Sequence, residues 1–285
     1  MAKRPVFYVS KGRGFCNVFN TEIEWAGGFA VSQSRKNIAA IHSQFETLHP
    51  EMKVLEISSK SENEVGVRAS AFNLKKFVPS LNASVEVEKV YQGSKVFQNG
   101  GPFSDLITTD KSKSAKGDDR LRNSGRLIKF QFEGKDYPNV PESAFYNFLY
   151  INALLENPEI ANEILKYDAF TDIVFNPAKS ISCQAQAAAI FVSLSRAGLI
   201  DKVRDFDSFV ETVYSVPKVE SVKTESKPEP KAPEIAMGTI IIHKAFGRGV
   251  VTATEPRLVI RFDSGEEKIL GVAWVSQNCE VINEN

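Results

Sequence analysis

Residues Ser84–Phe97 read SVEVEKVYQGSKVF, and what the chain can be depends largely on how they fold. As a helix, the stretch sets Glu88, Gln92 and Lys95 at i, i+4 and i+7, stacked on one face. Val87, Val90 and Tyr91 give the other side apolar anchors. The polar stripe lies between Tyr91 and Val96, so its edges are expected to be partly buried. A carboxylate, an amide and an amine held together in such a place can do acid–base or covalent chemistry. The same spacing also describes a polar face in water, and spacing alone leaves both readings open.

Composition narrows the field. At 285 residues the chain suits one sizeable domain, or one domain with a small attachment. Its 42% hydrophobic and 25% charged residues are those of a soluble globular protein, neither disordered nor fibrous. Lys+Arg and Asp+Glu both number 35, so contact with nucleic acid has to come from a local patch. The start, MAKRPVFYVS, lacks the apolar core of a signal peptide, and no run approaches a membrane span. A cytoplasmic protein without a membrane partner is expected. Cys16, Cys183 and Cys279 are odd in number and far apart, as suits free thiols in a reducing compartment. His42, His49 and His243 do not join them at metal-ligand spacing, so neither a metal nor another cofactor is expected.

Before residue 84, Arg4–Val9 (RPVFYV) reads as a strand and Lys11–Phe15 (KGRGF) as a turn whose glycines fit neither phosphate-binding spacing. A helix is expected to carry Val31, Ile38, Ile41, Phe45 and Leu48 on one face, with Ser32 as its N-cap. Val54–Ile57 reads as a short strand, Ser58–Asn63 as a polar turn, and Val67–Leu74 (VRASAFNL) as a loop or strand. Beyond residue 97, Asn99–Phe103 (NGGPF) has to turn tightly, since Gly-Gly-Pro cannot continue a helix. Lys111–Lys129 gathers Lys111, Lys113, Lys116, Arg120, Arg122, Arg126 and Lys129 against Asp118 and Asp119, as a solvated face or a phosphate-binding patch. A hairpin turning at Gly134 is expected next, then helices over Glu142–Leu155, with Pro141 near the first turn, and Pro158–Tyr167. The last helix lies in Ser180–Ala197, capped by Ser180 or Ser182, and its alanines allow close approach by another element.

Residues 217–236 break this pattern with Pro217, Pro228, Pro230 and Pro233 among Lys and Glu, which reads as an extended linker. From Gly238 to Ile282, GTIIIH, GVVTAT, LVIRFD, EEKILG and CEVI are five short β runs, with Gly247, Gly249 and Gly265 at turns. They suggest a small SH3-like or Tudor-like barrel. The expected fold class is therefore α+β. A helix-rich domain with small antiparallel β elements spans 1–214, a Pro/Lys/Glu-rich linker 215–236, and a β-barrel 237–285.

Ser70-Ala71-Phe72-Asn73, Val87-Glu88 with Tyr91-Gln92-Gly93-Ser94-Lys95, Ala115-Lys116 with Arg120, and Asp172 in AFTDIVFNP follow one another along the chain. Together they resemble the NADAR (YbiA-like) family, whose pattern runs from LSNF through VEHYFQAQK and AKxxGR to a D-x-x-W-G segment. Two departures are visible: Asp119 takes the place of the family's glycine before the arginine, and the Trp-Gly after Asp172 is missing. EISSKS, AFNL, YQGSKVF, NGGPF, SGRL, DAFTDIVFNP and CQAQAAA make the likeness closest to the branch encoded beside DarT-type DNA ADP-ribosyltransferase toxins. Separately, HKAFGRGVV followed by LVIRFDSGEEKIL resembles the Tudor-like tail of UvrD/PcrA-type helicases, a protein-interaction unit.

The first resemblance implies an antitoxin hydrolase that removes ADP-ribose from guanine bases in DNA. Cleaving that C–N bond needs charge stabilisation on the ribose and a proton for the departing amine. The resemblance makes Lys95, Glu88 and Asp172 the catalytic candidates, and Ser70, Phe72, Asn73, Gln92, Lys116 and Arg120 the ligand-binding ones. Lys95 offers a covalent route, displacing guanine and holding the opened sugar as a Schiff base, with Glu88 as proton shuttle. Gln92 and Asn73 suit ribose hydroxyls, Lys116 and Arg120 the pyrophosphate. The implied partners are ADP-ribosylated DNA, a DarT-type transferase as functional counterpart, and a protein docking on the C-terminal unit. The DNA is expected single-stranded or with its base extruded. Two other readings stay open: an N-glycosidase acting on small pyrimidine ribosides, and a module that binds ADP-ribose without hydrolysing it.

Overall fold

The computed structural model describes residues 1–28, 30–110, 112–178, 180–214, 235–244, 246–254, 258–270, 275 and 279–282. The chain divides into two units, Met1–Lys218 and Val219–Asn285.

The first unit opens with strands β1 (Ala2–Val9) and β2 (Cys16–Ile23), helix α1 (Val31–Leu48), β3 (Val54–Glu56) and α2 (Glu64–Arg68). The hairpin β4 (Lys75–Val78) and β5 (Ala83–Glu86) leads into α3 (Val87–Gly93) and β6 (Lys95–Phe97). Two short helices follow, α4 (Ser112–Gly117) and α5 (Arg120–Asn123), then strands β7 (Leu127–Phe132) and β8 (Lys135–Pro138). The unit ends with α6 (Ala144–Glu156), α7 (Pro158–Ile164), β9 (Ala169–Thr171), α8 (Gln184–Arg196) and α9 (Phe206–Tyr214).

A sheet of order β2-β1-β9-β3 organises this unit. Side chains alternate across a strand, so neighbouring residues on it serve different cores. Val6 and Ala169 join α1 residues Ile38, Ile41 and Phe45 in one cluster. Phe7 and Phe170 join the larger core on the other face, which α6 and α8 supply. The alanines at 185 and 187–189 are fully buried, and α8 uses this slim face to pack against α6 and β1. One expectation needs correcting: β3 pairs with β9 in parallel, so the β elements are not all antiparallel. The crossover between these two strands takes up most of the domain, which is why local pattern could not reveal the pairing.

The opening stretch is also not one helix. Ser84–Glu86 belongs to β5, α3 covers Val87–Gly93, and Lys95 starts β6 opposite Phe130. Helix α3 ends because Ser94 caps it, its backbone N–H and hydroxyl both donating to the Val90 carbonyl. Smaller differences have similar local causes. Ala30, not Ser32, stands at the N-cap of α1, and the Val67–Leu74 stretch begins inside α2. Ser143, with φ of 64°, precedes α6, so Pro141 lies before the helix rather than in its first turn. Cys183 occupies the N-cap of α8, leaving Ser182 free for Tyr91.

In the second unit β10 (Ile240–His243), β11 (Gly247–Ala253), β12 (Leu258–Phe262), β13 (Glu267–Leu270) and β14 (Cys279–Ile282) form an antiparallel sheet of order β13-β12-β11-β10-β14. All five expected runs are strands, around a core that includes Ile241, Val251, Ile260 and Phe262. Among the described residues no pairing joins β13 to β14, so the structure has a sheet where a closed barrel was expected. Gly249 lies inside β11 rather than at a turn, close under Ile260 and Phe262. Most of the expected linker, 215–234, lies outside the described residues.

Candidate active site

A cleft of about 1120 Å³ opens in the first unit, large enough for a nucleotide-sized ligand. One wall is α3. Glu88 and Gln92 are buried on it at 4% and 5% exposure, because Val87 and Val90 pull the helix into the core beneath them. Gln92 Nε2 donates to Glu88 Oε1 at 2.9 Å, and Lys95 Nζ donates to Gln92 Oε1 at 2.8 Å. The expected row of carboxylate, amide and amine therefore exists. Its last member arrives from a strand instead of a helical turn, and Gln92 rather than Glu88 touches the amine.

Lys95 also lies 4.6 Å from the centre of the Tyr91 ring. Tyr91 is held in turn by stacking on Phe130 and by a 3.1 Å hydrogen bond between its hydroxyl and Ser182 Oγ. The amine thus sits on a fixed aromatic face. Burial pushes Lys95 down to about 8; the Glu88 carboxylate opposes this shift and Lys116 adds to it. A fraction of Lys95 is consequently neutral near physiological pH, which a nucleophilic amine needs.

The facing wall is the turn after β9. Asp172 lines the cleft, and its Oδ1 accepts backbone N–H groups from Val174 at 2.9 Å and Phe175 at 3.1 Å. Burial first, then the charge of Glu56, push this carboxyl up to about 7, against those two N–H groups and Lys116. A carboxyl of that kind can give a proton at neutral pH.

Ser70, Phe72, Asn73, Gln92 and Lys116 all line the same cleft. Lys116 Nζ lies 3.7 Å from Glu88 Oε1 and 5.4 Å from the centre of the Phe72 ring. Asn73 donates its side-chain amide to the Val67 carbonyl, leaving its oxygen for a ligand. Arg120 is not brought into the cleft. Its guanidinium is taken up by Asp118 and by a bidentate pair with Asp105, at 2.6 and 3.2 Å. Within the basic run, Lys111 lies outside the described residues and so does the side chain of Lys113.

Residues that sequence reading passed over also line the cleft: Ser58, Ser59, Lys60, Tyr146, Phe175 and Gln184. Ser58–Lys60 read only as a polar turn. The available signal was their place in the EISSKS string. Gln184 holds two walls together, accepting the Ala71 N–H and donating to the Ile57 carbonyl, each at 2.7 Å. Among the described residues no group of three or more His, Cys, Asp or Glu could hold a metal ion, and no helix is long and apolar enough to cross a membrane.

The first unit is thus an α+β domain that sets an amine, an amide and two carboxyl groups around one cleft. A family model described as DarT1-associated NADAR antitoxin matches residues 2–223, and the chain belongs to this family. It is therefore an antitoxin whose counterpart is a toxin of the DarT type. No match to a curated protein accompanies the family match.

Proposed function

We propose that this antitoxin removes ADP-ribose from ADP-ribosylated guanine in DNA and so reverses its toxin's modification. One observation carries the reading: a half-buried amine shifted to about 8 shares a cleft with a carboxyl shifted to about 7. Substrate binding requires room for two nucleosides' worth of sugar, phosphate and base, and the cleft volume supports that. Lys116 and Lys60 pair with the diphosphate, Lys60 making no ion pair among the described residues. Gln92 and the Asn73 oxygen take ribose hydroxyls. This assignment leaves Arg120 out of the site, because Asp105 and Asp118 already satisfy its guanidinium.

The chemistry follows from the two walls. The ADP-ribosyl guanine is an aminal, so its ribose ring can open to an imine. Neutral Lys95 adds to the anomeric carbon, the bond to the guanine amine breaks, and Asp172 supplies the proton the departing amine takes. The sugar remains on Lys95 as a Schiff base until water releases it and returns the proton. Glu88, tied to Gln92 and near Lys116, stabilises positive charge as it develops and keeps Gln92 aimed at the amine. In a duplex the guanine amine lies on the minor-groove edge, paired with cytosine, so single-stranded DNA or an extruded base is the substrate form.

The test is incubation with guanine-ADP-ribosylated single-stranded DNA. Free ADP-ribose and unmodified guanine are the expected products. Tight ADP-ribose binding with no release would establish a binding module instead.

A further inference from the structure

Behind Asp172 lies a set of buried polar groups that the reaction above does not use. Glu56, 3% exposed at the end of β3, is set beside Thr171 by the parallel register of β3 and β9. Its Oε2 accepts the Thr171 hydroxyl at 2.6 Å, and its Oε1 accepts the Ile173 N–H at 2.8 Å. With its proton committed to Glu56, the Thr171 hydroxyl accepts from His42 Nε2, 2.8 Å away. On the far side Arg4 donates to the Ile173 carbonyl at 2.6 Å and the Asp172 carbonyl at 3.4 Å. Both residues flanking Asp172 are therefore tied to one carboxylate.

We infer that Glu56 is a positioning residue for Asp172: its carboxyl holds the Thr171 hydroxyl on one side and the Ile173 N–H on the other, and sets a second buried carboxyl behind Asp172. Because Asp172 Oδ1 accepts two backbone N–H groups, Oδ2 is left to carry the proton, with the Cys183 thiol 4.0 Å away. Two buried carboxyl groups so close in the fold cannot both ionise freely. Burial pushes Glu56 up, while the Ile173 N–H, the Ser58 and Thr171 hydroxyls and Arg4 pull it back towards the carboxylate. The remaining titratable neighbours do not compete near neutral pH. Burial lowers His42 to about 4 and pushes the Cys183 thiol and the Tyr146 and Tyr150 hydroxyls on α6 well above their usual ranges, so all four are neutral. Lys116, across the cleft, favours ionised Asp172. Burial, and after it the charge of Glu56, offset that pull.

The inference rests on the proposed hydrolysis only for the use made of the proton, so it can be tested without substrate. In Glu56→Gln the amide still accepts from Ile173 and can donate to Thr171, while the charge is gone. Carboxyl carbon NMR, with Asp172→Asn to assign the signal, should find the Asp172 midpoint lowered by about one pH unit or more in Glu56→Gln. The acid-side inflection of the kcat/KM profile should move down with it and the maximum should fall, because fewer molecules then hold protonated Asp172 together with neutral Lys95. A folded Glu56→Gln protein with an unmoved Asp172 midpoint overturns the inference, as does a fall in rate with the acid-side inflection unmoved. If Glu56→Gln does not fold, Thr171→Val keeps the side-chain shape, removes a donor from Glu56 and predicts the same direction. A lowered midpoint in a protein that releases no ADP-ribose would uphold Glu56 and defeat the hydrolase reading, so the two can fail separately.

Discussion

At the residue scale, two opposed shifts shape the expected kinetics. Asp172 must keep its proton, which it does below about 7, and Lys95 must lose its own, which it does above about 8. Only a minor fraction of molecules holds both forms together, and that fraction is largest between the two values. A bell-shaped kcat/KM profile with its maximum there is predicted, and Asp172→Asn should remove the descending limb along with most of the rate. Stability should register the same group. The folded state holds an Asp172 proton up to about 7, whereas the unfolded chain loses it near 3.8. The folded protein thus binds the extra proton between these values, and this contribution to stability is lost as pH rises across that window. Thermal melts of wild type and Asp172→Asn should converge at low pH, with the variant gaining relative to wild type toward pH 8. Lys95 was the easiest of these residues to read, since a polar stripe with family-like neighbours singles it out. Arg120 was misleading: its basic neighbours suggested phosphate, yet Asp118 two residues earlier is the partner that holds it.

At the scale of elements, the row Glu88–Gln92–Lys95 was legible while the way it is built was not. Helical spacing put the three together, but the helix stops at Gly93 and a strand carries Lys95 onward. What fixes that strand is the NGGPF turn. Gly101 has φ of 96°, and a Cβ there would stand 2.3 Å from the Lys95 carbonyl oxygen. The glycine lets the turn close directly onto the backbone of Lys95. Gly101→Ala should destabilise the protein by about 1–3 kcal/mol through backbone strain alone. Urea titration would measure that loss, and turnover should fall further than stability does, because Lys95 has to move to relieve the clash. The cap of α8 was misread for a related reason: Ser182 has the right chemistry for a cap, but Tyr91 claims its hydroxyl.

At the scale of the whole molecule, the strands and helices could be located from local pattern, whereas their pairing could not. The parallel β3–β9 pair joins residues 115 apart in sequence, and Glu56 gains its role only through that contact with Thr171. Read in sequence, Glu56 was a residue within the Val54–Ile57 strand and the first of the EISSKS string, with no partner indicated. Each of the two units has its own hydrophobic cluster. Every residue assigned to the reaction lies in the first unit. Deleting Gly238–Asn285 should therefore leave kcat/KM for ADP-ribosylated DNA within about twofold of the full chain. A large drop in a folded truncated protein would assign the second unit a part in substrate binding.

The central claim is that Lys95 becomes covalently attached to the sugar. Borohydride added during turnover of guanine-ADP-ribosylated DNA, followed by intact-mass and peptide analysis, tests it directly. The prediction is an ADP-ribose adduct on Lys95 of the wild type, with none on Lys95→Ala and turnover of that variant abolished. Undiminished turnover by Lys95→Ala would contradict it.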